Sequence, residues 1–228
     1  LSYFLDSLST SLGLLVHLDT EVLSAVRVSL QTSTASIVLA ALLGIPLGTA
    51  IGLMRFRGRR LVLTLLNTLM ALPTVVVGLF LFGLFSRQGP LGPLGLLFTP
   101  WAMIAGQMVL ATPIIANYTL TAMAGADPRI LPTALTLGAN RRRATWQLFI
   151  ELRFGMMAAV VAGFGRVIAE VGVAMMLGGN IRGTTRTMTT AIALETSKGE
   201  FAFGLALGIV LMVVALVINL FLNLIQQR

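Results

Sequence analysis

The sequence contains no cysteine and a single histidine, His17. Disulfides and thiolate-held metals are therefore excluded, and no histidine-rich metal site can be assembled. Charge is scarce too. Only 11% of the 228 residues are charged, against about 25% in an ordinary soluble domain. No glycine-rich nucleotide loop of the form GxxxxGK[ST] occurs. No serine–histidine–acid or paired-carboxylate constellation can be built, because every acid but one lies in or beside a loop. With no catalytic constellation, an energy source has to come from a partner or a gradient.

What is present is apolar. Hydrophobic residues make up 57% of the chain. One soluble core cannot hide that much apolar surface, so the class is a multi-span, all-α membrane protein. No internal repeat or linker interrupts it, and residues 1–228 are expected to form one domain. The net charge of +8 raises nucleic acid as a partner. Membrane topology accounts for it better, and no nucleic acid is expected.

Leu1, Phe4, Leu5, Leu8, Leu12 and Leu15 recur at helical spacing with polar residues between them. This predicts an amphipathic helix over residues 1–20 lying at the membrane interface, or else a fragment of a first span. Asp19, Thr20 and Glu21 then mark a helix start, with acids at the positive end of the dipole. No strong stop follows between residues 22 and 54. At about 1.5 Å per residue the rod would be roughly 50 Å long, against a hydrocarbon core of about 30 Å. Gly44, Pro46 and Gly48 are the expected bend. Further spans are predicted over residues 61–85, 100–123, 154–177 and 201–225, five in all. Pro73 and Pro113 fall inside the second and third and are candidate hinges, or simple kinks.

The arginines predict orientation. One side of the membrane carries Arg55, Arg57, Arg59, Arg60, Arg129, Arg141, Arg142, Arg143, Arg153 and Arg228 against Asp127 and Glu151. The other carries Arg27, Arg87, Arg182, Arg186 and Lys198 against Asp6, Asp19, Glu21, Glu195 and Glu200. The whole net charge thus sits on one face, which is expected to be cytoplasmic. The N-terminus is then outside and the C-terminus inside.

The longest polar, basic interval is residues 131–153, LPTALTLGANRRRATWQLFIELR. Ala134 and Gly138 are four apart, a spacing that puts both on one face of a helix. Arg141, Arg142 and Arg143 follow, suited to enforcing topology, to pairing with acidic groups on a partner or with lipid phosphates, or to both. Within the fourth span, Arg166 and Glu170 are also four apart. Charges at membrane depth pair with each other or face a water-filled cavity. The pair either locks helices together or places a cation beside an anion pathway. Gly163, Gly165 and Gly172 suit close helix packing. Thr184, Thr185, Thr187, Thr189 and Thr190 either line an entry path or form an ordinary solvated loop.

The 131–153 interval resembles the cytoplasmic loop of ATP-binding-cassette (ABC) importer permeases, which reads E-A-A, three residues, G, nine residues, I-x-L-P. Ala134 and Gly138 match, while Pro132 stands for the acid and Glu151 for the closing proline. Leu72–Gly78 (LPTVVVG), Gly165–Gly172 (GRVIAEVG) and Met175–Ile181 (MMLGGNI) resemble the molybdate, sulfate and tungstate branch. Glu195–Phe201 (ETSKGEF) and the departures at Glu151 and Arg153–Gly155 are most like tungstate-type permeases.

The resemblance implies the type I importer permease fold, an inner-membrane homodimer and a two-fold pathway. It implies two cytoplasmic ABC ATPase subunits and a periplasmic oxyanion-binding protein as partners, besides membrane lipid. ATP and Mg are then expected on the ATPase, with no cofactor on this chain. Thr133, Ala134, Leu137, Gly138, Ala139, Arg141 and Arg142 become the residues expected to couple to the ATPase. The cargo would be tungstate, with molybdate or sulfate as alternatives. An ATP-independent carrier or channel is the reading from another class.

Overall fold

A computed structural model describes residues 2–17, 19–54 and 56–226, with side chains at 6–17, 19–54, 56–220 and 224. Arg55 and Arg228, both assigned to the basic face, lie outside the described residues. The described chain is helical. In order come α1 (Ser2–Val16), α2 (Thr20–Leu53), α3 (Arg59–Met70), α4 (Thr74–Phe85), a short 3-10 turn (Gly92–Leu94), α5 (Pro100–Ala124) and α6 (Ile130–Thr136). They are followed by α7 (Arg141–Glu151), α8 (Arg153–Ile168), α9 (Gly172–Gly178), α10 (Met188–Lys198) and α11 (Phe201–Gln226).

The expected start of the first span holds. Asp19 caps α2, its Oδ1 accepting from the backbone N–H of Glu21 at 2.8 Å and of Val22 at 3.2 Å. The helix then runs 34 residues, through Pro46, before it ends. Its most extensive partner is α5. Gly44 and Gly48 explain how the two come so close. A Cβ on Gly44 would lie 2.9 Å from the Thr112 carbonyl oxygen, and one on Gly48 would run into the Ala116 carbonyl. The two glycines thus serve close packing. α5 occupies the place expected for the third span, with Thr99 as N-cap and Pro113 buried inside it.

Two expected spans differ from the structure. The second is not one helix: α3 and α4 meet at 94° across residues 71–73. Pro73 is the N-cap of α4 and does not lie within a helix. Proline disfavours helical geometry in the residue before it, so the chain stops at Ala71 and restarts at Thr74. The fourth is broken as well. α8 ends at Ile168 and α9 begins at Gly172, while α7 and α8 meet at 65°. Among the described residues, three helices are long and apolar enough to cross a membrane singly: Thr20–Leu53, Pro100–Ala124 and Phe201–Leu220. Counting each bent pair as one span, the number rises to five.

The core lies along α2 and α5. Ile37, Ala40, Ala111, Ile115, Ala159 and Val167 join α2, α5 and α8. Val77, Leu81, Phe85, Leu110, Val173 and Leu177 join α4, α5 and α9. Met188 and Ala191 of α10 pack with Val22, Ala25 and Leu207. The outer surface is apolar instead of polar: Met212, Val213, Leu216 and Val217 of α11 are all more than half exposed. That is the pattern of a protein solvated by lipid.

The N-terminal helix turns two of its serines inward and leaves Asp6, Ser9 and Thr10 exposed. Ser7 and Ser11 are buried, whereas Leu12 and Val16 are exposed, and α1 packs against α11. Small residues at the contact, with both polar and apolar side chains outward, suit a helix at the membrane interface. At 15 residues, about 22 Å, α1 is short of the roughly 30 Å hydrocarbon core.

Candidate functional site

The basic interval folds into a helical hairpin, α6 and α7. Asn140 caps α7, its Oδ1 accepting from the Arg143 N–H at 2.9 Å. α6 ends in a left-handed residue, Gly138, with φ +87°. The Gly138 N–H donates to the Leu135 carbonyl at 3.1 Å, and the Ala139 N–H to that of Ala134 at 3.0 Å. These two bonds are the Schellman closure, which needs a residue tolerant of positive φ. Here the spacing argument is corrected. Gly138 does not share a helix face with Ala134, because the helix stops at Thr136 and Gly138 is the turn beyond it. The glycine is set by backbone geometry: a Cβ there would meet nothing within 4 Å.

The hairpin shows its side chains to the outside. Thr133, Leu137, Arg141 and Arg142 are exposed, with Ala134 and Ala139 half-buried. Leu137 is 82% exposed and Trp146 67%. α7 is anchored on its other face by buried Ala144 and Leu148. The hairpin thus presents apolar side chains flanked by arginines on its outer surface. Beside it, the Arg129 guanidinium and then the Arg129 backbone N–H hold the Asp127 carboxyl below its usual range.

Arg166 and Glu170 are brought together at 2.7 Å, with side-chain exposures of 39% and 2%. Glu170 sits in the break between α8 and α9, where it has a second role. Its Oε1 accepts from the Val173 N–H at 3.2 Å, in the first turn of α9. Its backbone carbonyl accepts from the Thr189 hydroxyl at 2.8 Å. The pair therefore joins α8, α9 and α10 and leaves no bare cation. Gly163 and Gly172 lie close to Ile115 and Thr74, as packing requires, while Gly165 faces open space.

The threonines are neither a solvated loop nor an open path. Thr185, Thr187, Thr189 and Thr190 are buried, and only Thr184 is exposed. Thr187 and Thr190 form a reciprocal capping box at the start of α10. Ser29 of α2 accepts the Met188 N–H at 2.7 Å. Composition alone reads such a stretch as surface, and only the α10 helix reveals it as core. The adjacent charges pair with one another. Arg182 pairs with Glu21 at 2.9 Å, and Glu195 with Arg186 at 3.3 Å and Lys198 at 3.1 Å.

One polar feature escaped sequence reasoning. α3 carries Arg60, Thr64, Asn67 and Thr68 on one stripe, all exposed. The Asn117 Nδ2 of α5 donates to the Asn67 Oδ1 at 2.7 Å. The spacing i, i+4, i+7, i+8 was legible, but a partner 50 residues away was not.

The arrangement is a lipid-solvated helical bundle with an exposed basic hairpin. The model of a family described as "Binding-protein-dependent transport system inner membrane component" matches residues 44–228. The chain belongs to this family. It is 40% identical over 207 residues to the tungstate uptake system permease protein TupB of Campylobacter jejuni, covering 91% of this chain and 87% of that one. It is 36% identical to TupB of Peptoclostridium acidaminophilum, covering 91% of each. Among solved structures, the inward-facing MetNI methionine ABC transporter matches with a TM-score of 0.74 at 17% identity, over 90% of this chain and 94% of that one. The fold is thus that of the type I ABC importer permeases, and the protein is an inner-membrane component of such a transporter.

Proposed function

We propose that this permease subunit carries a tetrahedral oxyanion, tungstate, across the membrane as a homodimer. Two ATPase subunits drive it, and a periplasmic binding protein delivers the anion. The observation that carries this reading is the likeness to two tungstate uptake permeases over nearly their whole length. ATP and Mg reside on the ATPase. The basic face, with the α6–α7 hairpin, lies in the cytoplasm, the N-terminus outside and the C-terminus inside.

Coupling is mechanical. Leu137 and the Arg141–Arg142 pair seat on the ATPase, with Thr133, Ala134 and Ala139 allowing close approach around the Gly138 turn. α7 continues into α8 through a 65° bend. Motion of the hairpin is therefore delivered to α8, and through the Arg166–Glu170 lock to α9 and α10. The breaks at Pro73 and Glu170 are where the helices swing, and Pro113 lets α5 follow.

The test is uptake into vesicles holding the permease with its ATPase and binding protein. ATP-dependent tungstate uptake, competed by tungstate well ahead of molybdate and sulfate, is the expected result. Equal competition by sulfate would sink the tungstate assignment. Uptake by the permease alone without ATP would overturn the importer reading in favour of a carrier or channel.

A further inference from the structure

α3 has three distinct faces. Leu66 is buried, and Val62, Leu63 and Met70 are half-buried, against α2 and α5. Leu61, Leu65 and Leu69 are exposed and apolar, fitted to lipid. The third stripe, Arg60, Thr64, Asn67 and Thr68, is exposed and polar. The guanidinium of Arg60 and the amide of Asn67 cannot face hydrocarbon without a large cost, so this side of α3 faces water, an aqueous path or protein.

The carboxamide of Asn67 is oriented by a chain of contacts. The Asn117 Nδ2 lies 2.7 Å from the Asn67 Oδ1 and 2.8 Å from the Met70 Sδ. A thioether sulfur only accepts, so the inward end of Asn117 is its NH2. That NH2 needs an acceptor from Asn67, which turns the Asn67 oxygen inward and its own NH2 outward along the stripe. Among the described residues the Asn67 Nδ2 donates to no protein group. Thr64 and Thr68 stand beside it, their hydroxyls donating to the carbonyls of Arg60 at 3.0 Å and Thr64 at 2.8 Å. Arg60 closes the stripe at one end.

We propose that the Asn67 carboxamide, held by Asn117, is a hydrogen-bonding contact for the transported oxyanion on the pathway wall. The inference rests on the importer reading above. A tetrahedral dianion offers only acceptors at its oxygens, and Asn67 offers only donors outward. A neutral amide holds the anion without trapping it. A bare guanidinium at the same depth would bind too tightly to release; Arg60 lies seven residues, about 10 Å, further along α3, and Arg166 of α8 is neutralised by Glu170. Asn67 is the contact residue and Asn117 a positioning residue.

The test uses the complete transporter in vesicles, with tungstate as probe. Asn67→Asp keeps an acceptor for Asn117 but replaces the outward donors with anionic oxygen. Tungstate uptake is expected to fall at least tenfold, with normal recovery of the assembled complex and normal stimulation of ATP hydrolysis by the loaded binding protein. Asn67→Gln, which retains the donors, recovers part of the uptake. Asn117→Leu lowers uptake through misorientation, and an added Asn67 substitution costs little more. Wild-type uptake by an intact Asn67→Asp complex would overturn the proposal. So would failure of both Asn67→Asp and Asn67→Ala to assemble, which would make the residue an interface element. If the wild-type complex imports no oxyanion, the importer reading itself fails, and this contact with it.

Discussion

Gly138 offers the sharpest test of the hairpin. Its φ of +87° closes the turn between α6 and α7, and a Cβ there meets no other atom within 4 Å. Any substitution therefore acts through backbone strain alone. The left-handed conformation costs an ordinary L-residue about 1–2 kcal/mol, less for asparagine and more for a β-branched residue. α6 has seven residues and none is buried, so it has little packing with which to absorb that strain. A cost of about 1–2 kcal/mol shifts a local equilibrium roughly 5- to 30-fold toward the open turn. The expected order of ATPase association is Gly, then Asn, then Ala, then Val. It would be read as ATPase co-purified per permease, with membrane insertion and yield unchanged. A Gly138→Val protein that binds the ATPase as well as wild type would refute the geometric argument.

Other substitutions probe the bundle. Glu170→Ala removes the partner of Arg166 and the cap of α9. With Arg166 left without its acid at membrane depth, the expected loss is about 3 kcal/mol, seen as a lowered Tm in detergent. Replacing Arg166 and Glu170 together by glutamine is expected to cost less than Glu170→Ala. Gly48→Ala forces a methyl group against the Ala116 backbone at the α2–α5 contact, where neither helix can yield, and should cost about 1–3 kcal/mol. Gly52→Ala meets the flexible Met123 side chain instead and should be milder, so equal Tm values for the two would contradict the packing account.

Much of the site was readable because it rests on local rules. The hairpin announces itself by charge and by a glycine at a helix end. The Arg166–Glu170 pair follows from i, i+4 spacing in an apolar segment. Misreadings arose where one sequence property has two structural outcomes. Gly138 was read as a small residue on a helix face, when its purpose is a positive φ. By sequence Pro73 is a hinge or kink within a span, although the residue before a proline already disfavours helix. The threonines of 184–190 looked solvent-bound because hydroxyls are polar. Capping α10 and bonding Glu170 instead satisfies them inside.

The sequence by itself determined the membrane class and the position of the basic hairpin. These depend on composition and on neighbours within a turn or two. Only the tertiary structure decided where the spans break, that Gly44 and Gly48 serve the α2–α5 contact, and that Asn117 meets Asn67. The reason is physical: hydropathy averaged over a window measures how apolar a segment is, not which way each side chain points. Direction is settled by packing between distant helices, and a lipid-solvated protein has no polar exterior to mark it in advance.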